Sequence, residues 1–128
     1  MKYLKFFEGF ILKSDLVFDI HFIYGKIFLK TQDYEDDSTV IGYIHYRYDK
    51  FMDKKSLQII HIIIYDKRKG YGDKLMSYMD DAALENDCEY IHLKVLNNNI
   101  PAINLYKKHG FVEYKKDDIC DYMFKKLI

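Results

Sequence analysis

Residues 56–79 read SLQIIHIIIYDKRKGYGDKLMSYM, and two different periods meet inside this stretch. Ser56 to Ile64 is a β-branched run with little alternation, the pattern of a central strand covered on both faces. From Leu75 the spacing becomes helical. Leu75, Met76, Met79, Ala82 and Ala83 fall on one side, with Asp80, Asp81 and Glu85 on the other. Between the two periods lie three consecutive cations, Lys67, Arg68 and Lys69, and then Gly70, Tyr71, Gly72 and Asp73. A strand, a basic glycine loop and a helix therefore follow one another.

Downstream, YIHLKVL (90–96) reads as another strand, and NNN (97–99) caps a short second helix with Pro101 in its first turn, where a missing N–H costs nothing. Ala102, Ile103, Leu105 and Tyr106 form that helix's apolar side, and Gly110 stands where a helix C-terminus expects glycine. FVEYKK and DYMFKKLI close the chain as two strands. Upstream, GKIFLKTQ (25–32), a polar turn at 33–38 and TVIGYIHYRY (39–48) read as a hairpin, followed by a polar connection, DKFMDKK. The first 24 residues read as one strand plus short irregular or helical turns. The sum is a mixed α/β fold: a sheet of about six to seven strands, flanked by helices, with a right-handed strand–helix–strand crossover at its centre.

The basic glycine loop points to an anion. A helix start exposes unpaired N–H groups and carries the positive end of the helix dipole, so a phosphate there accepts several bonds at once. Gly70 and Gly72 lack a Cβ and let the backbone come close, while Lys67, Arg68, Lys69 and Lys74 add mobile charge. Neither G-x-x-x-x-G-K-[ST] nor G-x-G-x-x-G is present, which disfavours both common nucleotide loops.

The 128 residues suit one domain, 1–128, with its own core. Lys plus Arg and Asp plus Glu both number 20, a balance that argues against a general nucleic-acid binder. No run is apolar and long enough for a membrane span. The N-terminal stretch is broken by Lys5, Glu8 and Lys13 and reads as no secretory signal. Cys88 and Cys120 are isolated and read as reduced thiols in a cytoplasmic protein, and the five histidines show no metal-ligand spacing.

The ordered set K-x-x-G-x-G, helix, strand, N-x-x-A-x-x-L-Y-x-x-x-G-F, running from Lys67 to Phe111, resembles the GNAT superfamily of N-acetyltransferases. The resemblance extends over about residues 39–128. It implies a GNAT-like fold and acetyl-CoA as cofactor, with the pyrophosphate on the loop Lys67, Arg68, Lys69, Gly70, Tyr71, Gly72 and Asp73. The pantetheine arm would lie between strands 56–64 and 90–96, which splay apart, bonded to the backbone of Ile62 and Ile64 and helped by Asn99. Tyr106 matches the tyrosine that faces the thioester sulfur and acts as acid. The family has Arg or Gln where this chain has Lys67, and the loop is one residue short with no proline.

The implied reaction is transfer of the acetyl group to a primary amine, of a small molecule or of a protein lysine or N-terminus, in a ternary complex. Its rival is an inactive GNAT-fold module that binds coenzyme A or a protein. For the base, His61 is one candidate, set against a buried hydrogen-bonded histidine and against a chain of waters. Ser56 and Gln58 share strand parity with Ile60, not His61. His45 and His92 read as sheet residues, and His109 as a helix-end residue favoured by the C-terminal dipole. The acidic stretch Asp33, Glu35, Asp36, Asp37 reads as a solvated hairpin tip. Only about 25 residues precede KIFLK, too few for the two helices that usually shape the family's acceptor pocket. The pocket is then open, or completed by a second copy in a homodimer.

Overall fold

The computed structural model describes residues 16–20, 24–30, 40–64 and 71–128, with side chains described for 44–63 and 72–128. Loop residues Lys67, Arg68, Lys69 and Gly70, the acidic stretch 33–37 and the first fifteen residues lie outside the described residues. The elements are β1 (Leu16–Ile20), β2 (Tyr24–Lys30), β3 (Val40–Phe51), β4 (Lys54–Ile64), α1 (Tyr71–Glu85), β5 (Tyr90–Leu96), α2 (Ile100–Lys108), β6 (Val112–Lys116) and β7 (Cys120–Lys126). The strands make one seven-stranded sheet in the order β1-β2-β3-β4-β5-β7-β6. Every neighbouring pair is antiparallel except β4 with β5, which α1 connects in parallel. Only residues 21–23 separate β1 from β2. No described helix is long and apolar enough to cross a membrane.

The polar stretch DKFMDKK is not a loop. β3 runs on to Phe51 and β4 begins at Lys54, leaving a turn of only Met52 and Asp53. Both have positive φ, 52° and 60°. Two consecutive left-handed residues are what a two-residue hairpin turn requires, because that backbone twist matches the twist of the strands. Asn-Gly is the usual sequence for it; Met-Asp gives no such signal.

A second irregularity lies on β4. His45 pairs with His61 and Tyr46 with Ile59, so Ile60 is an extra residue bulged out of register. The bulge flips the side-chain alternation. Leu57, Ile59 and Ile62 all face the same side, opposite Tyr48, Tyr46 and Ile44. Ser56, Gln58 and His61 share the other side, which overturns the parity argument that separates His61 from Gln58.

The two sides are unlike. On the first, Ile44, Tyr46, Leu57, Ile59, Ile91 and Leu93 are buried against Leu75, Met76, Met79, Ala82 and Ala83 of α1. Ile103 and Tyr106 of α2 and Phe111 complete this core. The second side carries Arg47, Gln58, His61 and His92. β4 is central, but it is not covered on both sides: His61 is exposed, and Ile60 and Ile63 are 37% and 36% exposed. The end of α1 is tied to β3, where Asn86 Nδ2 donates to the Tyr48 hydroxyl at 2.8 Å and to the Ala82 carbonyl at 2.9 Å.

The hairpin turn makes the first prediction. Replacing Met52–Asp53 with Asn-Gly removes two strained left-handed residues. It should raise the unfolding free energy by about 1 kcal/mol, read as a higher urea midpoint at unchanged m-value. An unchanged midpoint would show that the turn carries no such cost.

Candidate functional site

The parallel pair β4–β5 is short. Among the described residues it runs from Ser56 opposite Tyr90 to Ile59 opposite Leu93, and goes no further. Both strands continue, β4 to Ile64 and β5 to Leu96, but apart. β5 remains bonded to β7 over Lys94–Leu96, and β4 to β3 over His61–Ile64. The β5-facing backbone edge of Ile60–Ile64 therefore has no strand partner among the described residues, as the splay reading expects. Such an edge accepts an extended chain bearing amide groups, which bonds to it as a strand would. Helix α1 starts at Tyr71, just beyond the carboxyl end of β4, and α2 starts just beyond β5. The open end of the cleft thus faces two helix N-termini, the usual ligand position in α/β sheets.

The start of α1 is locked to the C-terminal half of α2 by residues read as loop ligands. Gly72 belongs to the first turn of α1, where it packs against α2. A Cβ there would meet Leu105 Cδ2 at 3.2 Å. Its missing side chain admits the second helix, a role the loop reading did not assign. Asp73 sits in the same turn, and its carboxylate accepts from Lys108 Nζ at 3.0 Å and lies 2.7 Å from His109 Nε2. The His109 hydrogen bond first, then that of Lys108, holds the Asp73 carboxyl below the ordinary carboxylate range. His109 thus serves as a bridge to α1 as well as the C-cap of α2.

Two residues of α2 carry the resemblance. Asn99 is its N-cap, with Oδ1 accepting from Ala102 N–H at 3.3 Å, and Pro101 follows in the first turn. Tyr106 is 4% exposed and rests against Phe111 at 5.7 Å between ring centres. Its hydroxyl bonds to no described residue. Burial pushes its phenol far above the ordinary tyrosine value. Ile62 is half-buried on the core side; the backbone of Ile64 and of Tyr71 is described, without their side chains.

The open side of the sheet holds groups that sequence reading left apart. His61 stands on it, with its ring edge-on to His45 at 5.5 Å. From the first parallel pair, Ser56 Oγ lies 2.6 Å from Nδ1 of His92, the residue just before the last pair, and donates to the Tyr90 carbonyl at 3.1 Å. Ser56 is fully buried and His92 half-buried. Phe51 stacks on the His92 ring at 5.2 Å, and Arg47 Nε donates to Gln58 Oε1 at 2.7 Å alongside. Burial pushes the His92 imidazole below its ordinary value; Asp49 pulls it back up and Arg47 pushes it further down. Ser56 and His92 are 36 residues apart, so only the register of β4 on β5 shows the pair. The available signal was a polar residue at alternate positions in each of two apolar strands. Among the described residues no cluster has the makings of a metal site.

The family model described as Acetyltransferase (GNAT) family matches residues 8–111. Streptothricin acetyltransferase of Streptomyces lavendulae is 29% identical over 75 residues, covering 59% of this chain and 40% of that one. The chain spans less than half the length of the curated relatives it matches. Among solved structures, the NatC complex bound to Gag peptide and CoA has a TM-score of 0.70 at 19% identity, covering 80% of this chain and 71% of that one. The PaiA N-acetyltransferase of Thermoplasma acidophilum in complex with coenzyme A has a TM-score of 0.63 at 20% identity, covering 80% and 59%. At these identities the structural likeness establishes the fold.

The Asp73 clamp makes a prediction with a definite sign. Its folded-state pKa is lowered from 3.8, so the unfolded chain takes the proton more readily. The clamp's stability is complete above that value and is lost as pH falls through the folded value. Asp73→Asn should therefore show a shallower loss of stability below pH about 4 than the wild type. Because the site is part exposed, the difference should be about 0.5 kcal/mol or less in urea titrations at neutral and acid pH.

Proposed function

The chain belongs to the acetyltransferase (GNAT) family, and on that premise we propose that it is an acetyl-CoA-dependent N-acetyltransferase acting on a primary amine. The observation that carries this reading is the parting of β4 from β5 after Ile59 and Leu93, with both helices starting at its open end. The β4 edge, with no strand partner among the described residues, and the Tyr106 hydroxyl, bonded to no described residue, fit a cofactor with an extended amide-bearing arm. The backbone of Ile62 and Ile64 would hold that arm, with Asn99 beside it. The loop from Lys67 through Asp73 would hold the phosphates. The cofactor supplies the acetyl thioester.

The chain's own residues then have three tasks: to take a proton from the amine, to polarise the carbonyl oxygen and to steady the departing sulfur. An unpaired β4 N–H suits the second. Tyr106 suits the third, in a specific way. Its buried phenol holds its proton more tightly than a thiol does, so it stabilises a thiolate by donating a hydrogen bond rather than by giving the proton up. The amine would approach from the open side of the sheet. The relatives' names span streptothricin and a peptide complex, which supports an amine acceptor without selecting its class.

The test is thermal shift with acetyl-CoA, followed by thiol release over a panel of amines and peptides. Stabilisation with turnover on at least one amine is expected; stabilisation without turnover on any would favour a coenzyme A-binding module. Tyr106→Phe should lower kcat by about 10- to 100-fold, the weight of one hydrogen bond to a charged group, while the acetyl-CoA thermal shift stays as in wild type. Equal kcat in the variant would remove the role.

A further inference from the structure

The Ser56–His92 pair is built as a held base, and it stands beside the cleft on the side away from the helices. His92 is opposite Gln58, one residue before the Ile59–Leu93 pair at which β4 and β5 part. Its side chain shares the open side with Ser56, Gln58 and Arg47, whereas Tyr106 is packed into the core on the other side. A group at this place meets an amine coming to the cleft from the side opposite Tyr106.

The hydrogen bonds define which nitrogen is available. Ser56 Oγ has one proton and two contacts, the Tyr90 carbonyl at 3.1 Å and His92 Nδ1 at 2.6 Å. A carbonyl only accepts. Both contacts are hydrogen bonds only if the hydroxyl gives its proton to Tyr90 and accepts one from Nδ1–H. That arrangement leaves the lone pair on Nε2. No described residue is hydrogen-bonded to Nε2. The ring is further held by Phe51, stacked at 19° to it.

We propose that His92 is the general base of the transfer, taking the proton of the acceptor ammonium on Nε2, directly or through one water, with Ser56 as its positioning residue. The inference rests on the acetyl-transfer reading. The step is one proton transfer. An N–H bond of the ammonium breaks, an Nε2–H bond forms, the amine becomes neutral and keeps its lone pair for attack, and the imidazolium later returns its proton to solvent. Among the described side chains, the charged or titratable groups on its side of the sheet are His45, Arg47 and Asp49 of β3, Lys54 and His61 of β4, Tyr90 and Lys94 of β5, Tyr114 and Lys115 of β6, and Tyr122 and Lys126 of β7. Of these, Asp49 and Arg47 act on His92 in opposite directions, and burial keeps the ring neutral near pH 7. The same Asp49 carboxylate favours arrival of a cation.

The experiment uses the full chain and two readouts. In kinetics, kcat/KM for the best amine should rise with pH through a limb below the ordinary 6.5 of histidine. His92→Gln should lose that limb and about 100-fold or more in kcat, with the acetyl-CoA thermal shift kept. Ser56→Ala should move the limb rather than abolish it. In NMR, long-range 15N–1H spectra of the wild-type protein should show neutral His92 with its proton on Nδ1, a result that needs neither a variant nor turnover. A proton on Nε2, or a pH limb that survives in an active His92→Gln, would overturn the proposal while leaving acetyl transfer standing. A wild type that releases thiol with no amine would overturn both.

Discussion

Two strands that start side by side and then separate set the terms for the rest of this chain. Four register pairs hold β4 to β5, after which each strand follows its outer neighbour instead. Separation leaves backbone N–H and C=O groups of β4 without a strand, and such groups must find another partner. The bulge at Ile60 accompanies the parting. It bends β4 and restarts its alternation, so that Ile62 returns to the core side with Leu57 and Ile59. Were Ile60 paired in regular alternation instead of bulged, Ile62 would turn outward and His61 inward. The core is kept and the edge is opened by the same local irregularity.

The parting would be of little use if the helices were not held at its mouth. α1 and α2 meet there through a side chain that is missing and a carboxylate that is present. Gly72 lets Leu105 approach, and Asp73 gathers Lys108 and His109 from the end of α2. A carboxylate in the first turn also agrees with the helix dipole. By itself it would oppose any anion brought to the same helix start, but its charge is matched by Lys108. The loop cations Lys67, Arg68 and Lys69 then stand before a helix start whose own acid is already engaged.

Much of this was legible in the sequence, and the parts that were not share a cause. The period change at Leu75 marks α1, Tyr90–Leu96 is a strand over its full expected length, Asn99 caps α2, and Gly110 takes the left-handed conformation with φ 91°. Each of these depends on residues near one another in the chain. The Met52–Asp53 turn, the Ile60 bulge and the Ser56–His92 contact do not. The turn adopts its geometry because two long strands pair up to it, against the preference of its own residues. The bulge is visible only as a slip between partners, and a slip of one residue reverses every assignment of side. Strict alternation along β4 therefore sets His61 against Gln58, whereas the bulge puts them on one side.

Burial acts in the same sense on the two groups that flank the cleft, and the outcomes are complementary. Loss of solvent disfavours charge. For the Tyr106 phenol this means the proton is kept, and the hydroxyl stays a donor; for the His92 imidazole it means the proton is shed, and one nitrogen stays an acceptor. Near pH 7 a neutral donor therefore stands on the helix side of the sheet and a neutral acceptor on the open side. An amine that must lose a proton as it attacks, and a sulfur that gains negative charge as it leaves, call for those two groups on opposite sides of one carbonyl. Neither needs an unusual neighbour to be tuned. The sheet supplies both by leaving one of its sides half covered and packing the other closed.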